Sequence, residues 1–373
     1  MFNDGIFFDI LDRFDSYYGA IKLKHPEYFD KQILIQVPCN LRWVYEKPEL
    51  VPKFRKMYNH LMDEYHMFVS FSWSTDGLYA IKDREKINID QTYFDVIFNF
   101  TKEFGYGYHP MISAENIDTW CENVDWWYDM YKKFDLTAPG GYFQPYMLEV
   151  RNDSWTPEKI KLHDKFLEHM MEKRLELCDN DKTKLVHHLL LGTAEDGSLP
   201  AAKGCDPIDL KGRDPYSTVF DKMCCGVQSL IHFNCTNLSL VFCHRMSYPL
   251  YTAGYFKTDK ESTHIIDINP YNVSAYLTMK TAKTTAYPMC SKCKYLMVCK
   301  QGCIGAQVES SGEPYMPIRS VCAFNKASFE KLTDLYYEYG VYDIGMEKGW
   351  MDKNNTNLIF IYNQGIERGY INE

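Results

Sequence analysis

Apolar residues in the first half of the chain recur at alternating and helical spacings, as repeated strand–helix units require. Lys31 to Val37 (KQILIQV) reads as a strand. Pro48 and Glu49 then open a helix on which Leu50, Phe54, Met57, Tyr58, Leu61 and Tyr65 return every three or four residues. Met67 to Trp73 (MFVSFSW) predicts a second strand. Thr92 to Phe104 predicts a helix with Phe94, Ile97, Phe98 and Thr101 on one side. Tyr108 to Ile112 reads as a third strand, although Pro110 removes a ladder donor from it. A helix is expected over Trp120 to Phe134. Gly140 and Gly141 break the chain before a fourth strand at Tyr142 to Glu149. Thr156-Pro157-Glu158 is a helix start, with an N-cap hydroxyl, a proline in the first turn and an early carboxylate. That helix is expected to run to about Cys178.

Such an order favours parallel strands joined by right-handed crossovers, hence an α/β sheet or part of a barrel. Only four units are readable, so a complete eight-fold barrel is excluded. From about residue 180 the texture changes. Gly, Pro, Asn and Cys become frequent, and short strands are expected at Ser229 to Phe233 and Leu238 to Phe242. This pattern fits a small, loop-rich domain held by metal more than by a large core. Helical periodicity returns at Ala327 to Tyr339. The expected domains are therefore residues 1–200, 201–330 and a helical tail at 331–373.

Composition narrows the functional classes. A hydrophobic content of 46% with 24% charged residues is that of a globular chain. The aromatic content of 16% is spread along the whole length, which reads as packing. A net charge of −9 speaks against binding nucleic acid through its phosphates. No apolar run is long enough to cross a bilayer, and the first residues carry no secretory signal pattern. A cytoplasmic location with no membrane or nucleic-acid partner is expected.

Thirteen cysteines then need a reason. In a reducing compartment, clustered cysteines point to metal or redox chemistry more than to disulfides. Cys39, Cys121 and Cys178 stand alone and read as small buried hydrophobes. The other ten lie between Cys205 and Cys322. Cys290, Cys293, Cys299 and Cys303 follow a C-x2-C-x5-C-x3-C spacing, with Cys322 beyond them. A two-residue gap lets both thiolates of a tight turn face one metal centre. A zinc ribbon uses close pairs too, but it normally takes two C-x2-C pairs and only one is present. Uneven spacing with a distant fifth cysteine fits iron–sulfur clusters better, where one cysteine of a close run can serve a second cluster. Upstream lie Cys224, Cys225, Cys235 and Cys243, so nine cysteines from Cys224 to Cys322 suffice for two four-cysteine clusters. His232 and His244 are further candidate ligands, or ordinary solvated histidines.

This run of cysteines resembles the SPASM domain of radical S-adenosylmethionine (radical SAM) peptide-modifying enzymes. The resemblance implies one auxiliary [4Fe–4S] cluster on Cys290, Cys293, Cys299 and Cys322. It implies a second cluster on Cys303, Cys243, Cys225 and a fourth residue, for which Cys224 and Cys235 both remain open. The position where the family usually has glycine, five residues before Cys243, is Leu238 here.

The first half is similar to the same family. Ser74-Thr75-Asp76-Gly77 at a strand end resembles its S-x-D-G turn. Lys82 to Lys86 and Thr92-Tyr93-Phe94-Asp95 resemble the two segments that follow it. By that resemblance Ser74 lies near the methionine end of S-adenosylmethionine, and Lys86 or Arg84 takes the place of a carboxylate-binding arginine. His244 stands where sulfatase-maturing members carry an aspartate base. It is the candidate catalytic base, and its identity favours another peptide substrate.

The implied fold is an α/β partial (β/α)6 barrel lacking its first strands, followed by the SPASM domain. The family's C-x3-C-x2-C and G-G-E-P segments are absent from the sequence, and Phe7 to Phe14 (FFDILDRF) reads as the helix that would follow the second of these. The expectation is an N-terminally truncated piece of an enzyme that abstracts hydrogen from a peptide and is inactive by itself. The alternative is a non-catalytic iron–sulfur or zinc module that recognises a peptide or transfers electrons. No motif assigns a role to the tail from Gly340 to Glu373.

Overall fold

The structure is a computed structural model. It describes residues 6–30, 33–73, 75–79, 89–104, 107–108, 112–134, 155–191, 232–234, 237–243, 245–258, 263–281, 288–296, 298–299, 304–351 and 356–372. The chain divides into two compact units. The first comprises Met1–Ile112, Thr119–Met147 and Asp196–Cys205, and the second Ser113–Asp118, Leu148–Glu195 and Asp206–Glu373.

In the first unit a parallel sheet has the order β1 (Ile33–Cys39), β2 (Met67–Trp73) and β3 (Gly107–Tyr108). β1 and β2 pair along their whole length, from Ile33 opposite Met67 to Cys39 opposite Trp73. Helices α1 (Ile6–Lys24), α2 (Arg42–Glu46), α3 (Leu50–Tyr65), α4 (Gln91–Phe104) and α5 (Trp120–Phe134) accompany it. Met67, Val69, Phe71 and Trp73 alternate along β2 and are all buried, as period-two patterning demands of a face turned to the core. Phe54 of α3 meets Phe71 at 5.3 Å between ring centroids, and Phe98 of α4 meets Trp73 at 5.2 Å. The Asp90 carboxylate accepts a hydrogen bond from the Tyr93 backbone N–H at 3.1 Å, which satisfies one of the orphan donors at the start of α4.

Of the expected third strand, the described residues show Gly107–Tyr108 as strand and a bridge at Ile112, and 109–111 lie outside them. The expected fourth strand at 142–149 lies outside the described residues. Among those residues the parallel sheet has three strands, and the chain is a mainly helical α/β protein.

In the second unit, α6 (Pro157–Leu177) and α7 (Lys182–Leu191) precede an antiparallel sheet. Its order is β4 (His232–Asn234), β5 (Ser239–Val241), β6 (Thr252–Thr258) and β7 (Thr263–Ile266). Then follow α8 (Pro270–Thr281), α9 (Ile304–Ser311), α10 (Arg319–Glu338), α11 (Val341–Glu347) and α12 (Thr356–Glu367). The Thr156 hydroxyl caps α6 by accepting from the Lys159 N–H at 3.4 Å, with Pro157 at the first helical position.

α6 belongs with the second unit because its buried residues pack on α10, and the tail helices pack there too. Trp155 and Phe324 lie 4.1 Å apart between centroids, with His163 at 4.5 Å from Phe324. Burial lowers the His163 imidazole pKa to about 3, so it sits in this core as a neutral ring.

Beside His163, Asp164 lies in the α6–α10 seam with its Oδ1 buried and without a hydrogen-bond partner among the described residues. Burial raises its carboxyl pKa to about 6; Lys331 opposes the rise, and Glu168, Asp334 and Glu330 add to it. Because this folded-state pKa is above the unfolded value, ionisation of Asp164 opposes folding. The cost is absent near pH 4, grows between pH 4 and 6 and is complete above. Asp164→Asn is therefore expected to stabilise the protein at pH 7.5 by about 1 kcal/mol, once the full-burial value is discounted for partial solvent exposure. Thermal melts of wild type and variant should converge at pH 4; a gain that is the same at both pH values would refute this account.

Candidate metal centre

The second unit gathers the cysteine run. Cys290 and Cys293 close a tight turn, in which the Cys293 N–H donates to the Cys290 carbonyl at 2.9 Å. Consecutive turns follow, with the Leu296 N–H donating to Cys293 O at 3.0 Å and the Cys299 N–H to Tyr295 O at 2.9 Å. Cys322 comes from elsewhere, in the first turn of α10, where its N–H donates to Ile318 O. Burial pushes the Cys290 thiol pKa up, and the negative charges of Cys322 and then Cys293 push it further; Lys326 opposes them. Lys326 is one helical turn beyond Cys322 and so shares its face of α10.

Cys290 also packs against an apolar cluster that contains the buried Cys243, together with Phe242, Met246, Tyr251, Met279 and Ile304. Gly305 explains how Cys243 comes so close to α9. A side-chain carbon on Gly305 would stand 2.8 Å from Arg245 Cβ and 3.5 Å from Cys243 Sγ. Cys303, Cys225, Cys224, Cys235 and His244 lie outside the described residues, and so do Ser74, Arg84 and Lys86.

Among the described residues no three His, Cys, Asp or Glu side chains come close enough to hold a single metal ion. A tetrahedral zinc site needs sulfurs about 2.3 Å from one ion, whereas a cluster spreads its thiolates around several iron and sulfide atoms. Cys290, Cys293 and Cys322 fit an iron–sulfur group by donor type and by their convergence from two segments. A bound cationic centre would relieve the charge that Cys322 and Cys293 place on Cys290.

The turn between Cys293 and Cys299 is held by residues that carry no metal-ligand signature. Tyr295 is buried between Phe329 of α10 and Phe360 of α12, and its hydroxyl donates to Glu330. Burial, and then the Glu330 carboxylate, hold the Tyr295 phenol above its ordinary range, so it remains a neutral donor. Sequence spacing marks the cysteines and is silent on Tyr295, Lys326 and Glu330, because an aromatic or charged residue between ligands has no distinctive pattern.

The first unit offers a second candidate element, the turn at the carboxyl end of β2, where open parallel sheets commonly bind ligands. Thr75, Asp76 and Gly77 are buried there, and Gly77 has φ +101°. Asn123 of α5 donates from Nδ2 to the Asp76 carbonyl at 2.6 Å and accepts from the Tyr79 N–H at 3.2 Å. Trp127 Nε1 donates to the same Asp76 carbonyl at 3.4 Å. Asn123 is fully buried and spends both ends of its amide on this turn. A lone asparagine on a helix gives no sequence signal of such a role.

No protein-family model matches the chain, and no curated protein matches it. Among solved structures, native anSMEcpe with bound AdoMet is similar at 14% identity and a TM-score of 0.42, over 75% of this chain and 78% of that one. A likeness at this level carries no argument about activity. No helix among the described residues is long and apolar enough to cross a membrane.

Proposed function

We propose that this chain belongs to the radical SAM enzymes that modify peptides, and that its second unit binds an auxiliary [4Fe–4S] cluster. The carrying observation is that Cys290 and Cys293 share one tight turn while Cys322, from the separate helix α10, lies near enough for its charge to add to the rise of the Cys290 thiol pKa that burial causes. The resemblance of the cysteine spacing to SPASM domains, and of Ser74 to Gly77 to the S-x-D-G turn, supports the same reading.

An iron–sulfur cluster supplies one-electron transfer to such a site. Cys290, Cys293 and Cys322, with Cys299 as the fourth ligand, would hold the cluster as thiolates, and Lys326 would offset part of the negative charge. The apolar cluster against which Cys290 packs and the buried ring of Tyr295 would lower the local dielectric on one side of the cysteines and strengthen that compensation. Cys303, Cys243 and Cys225, with Cys224 or Cys235, are the corresponding candidates for a second cluster. At the β2 turn, Asn123 and Trp127 fix the backbone that would present Ser74 to S-adenosylmethionine, with Arg84 and Lys86 as candidate carboxylate contacts and His244 as candidate base.

Iron, acid-labile sulfide and zinc per chain, measured after anaerobic purification and reconstitution, test this. Four or eight irons with matching sulfide are expected. Stoichiometric zinc without sulfide would replace the reading with a structural metal module, and the absence of both would end it.

A further inference from the structure

The C-terminal tail has no motif, yet its last helix reaches the cysteine turn directly. Phe360 of α12 packs on Tyr295 at 5.7 Å between ring centroids, and Phe329 of α10 covers the other side at 6.2 Å. Phe329 and Phe360 also touch each other at 6.4 Å, so the three rings close on one another. All three are buried. A second link lies beside the first. Lys294 Nζ donates to Glu367 Oε2 at 2.9 Å, and Gln364 Nε2 holds the same oxygen at 2.7 Å.

The tail is itself firmly seated on α10. The Tyr337 hydroxyl donates to Ile361 O at 3.1 Å, and Gly365 leaves room for that phenol, which a side-chain carbon would overlap at 2.1 Å. Tyr370 stacks on Tyr337 with ring centroids 4.8 Å apart. A rigid path thus runs from α10, which carries Cys322, through α12 to the residues directly following Cys293.

We infer that Tyr295 is the positioning residue of the metal centre, and that α12 is the brace that holds it so Cys293 and Cys299 stay in register with Cys322. Resting on the proposed iron–sulfur reading, this assigns a role to the tail. Tyr295 touches no iron; it acts through the backbone that bears its two neighbouring thiols. A neutral, buried aromatic is suited to this because it adds rigidity with few rotatable bonds and introduces no competing ligand.

The test uses the full chain, reconstituted anaerobically, and follows iron release to an excess of chelator at a temperature well below every melting point. Tyr295→Leu and Phe360→Ala are each expected to release iron at least ten times faster than wild type. Tyr295→Phe, which keeps the ring packing and loses only the hydroxyl, should stay within about threefold of wild type. The expected non-additivity is that the Tyr295→Leu/Phe360→Ala double variant releases iron little faster than either single one, since both remove the same contact. Leu185→Ala serves as the control, because Leu185 is buried in α7 and its loss lowers the melting temperature without touching the brace. Wild-type release rates in Tyr295→Leu and Phe360→Ala would overturn the inference while leaving the cluster assignment standing. Equal acceleration by Leu185→Ala would overturn it too, since the effect would then be general loss of stability. A wild-type chain that takes up no iron would overturn the functional reading, and this inference with it.

Discussion

Replacing Cys290, Cys293 and Cys322 together by serine is expected to abolish one cluster's worth of bound iron while leaving the metal-free protein folded. Serine is close to cysteine in size, and in the metal-free state these thiols oppose one another when ionised instead of contributing attraction. The triple variant without metal should therefore melt within a few degrees of the metal-free wild type. The holo protein is different, because a ligand that binds only the folded state adds its binding free energy to stability. For structural metal sites that energy is on the order of 10 kcal/mol. Reconstitution should thus raise the melting temperature of the wild type strongly and that of the triple variant hardly at all. Cys290→Ser alone should give most of the loss, since Cys290 packs against the apolar cluster that contains Cys243. Iron analysis and paired melts with and without reconstitution decide the matter; undiminished iron in the triple variant would remove these residues from the ligand set.

Gly77→Ala is expected to be the most damaging single change in the first unit, with a loss of about 3 kcal/mol. Two causes add. The backbone at φ +101° is one that L residues rarely adopt, at a cost of about 1–3 kcal/mol. The new methyl would also stand 2.5 Å from Asn123 Oδ1 and 2.7 Å from Trp127 Nε1. Neither neighbour is free to swing away, since both are buried and Asn123 is held at both ends by hydrogen bonds. Overpacking of this kind costs about 1–3 kcal/mol. Asn123→Ala alone should lose about 1–3 kcal/mol by leaving the Tyr79 N–H and one lone pair of the Asp76 carbonyl unsatisfied. Combined, the two losses should sum to less than their separate values, because alanine at 123 vacates the space the new methyl needs. Urea unfolding of the four proteins measures this coupling. Additive losses would mean that the clash is relieved by a backbone shift, and a stable Gly77→Ala would mean that the turn is not clamped.

Much of the fold is legible residue by residue. The β2 strand and α5 run over the residues that alternation and helical spacing predict, and α6 starts at the Thr156 cap. The misses have identifiable causes. α10 was expected from Ala327 and starts at Arg319, because Cys322 reads as part of a ligand loop whereas its neighbours Val321 and Phe324 already continue the buried face. Helical pattern in α6 says which face is apolar but not that α10 covers it.

The sequence by itself determined what depends on neighbours along the chain: periodic elements, the capped start of α6, the spacing of Cys290, Cys293 and Cys299, and the glycine at position 77. Tertiary structure alone decided the pairings between distant segments. Phe360 packs on Tyr295, and Asn123 hydrogen-bonds the Asp76 carbonyl, only because whole helices dock by burying their apolar faces. The physical reason is that local periodicity encodes the direction in which a side chain points. The partner it meets is selected by packing the complete set of faces at once, which no short stretch of sequence specifies.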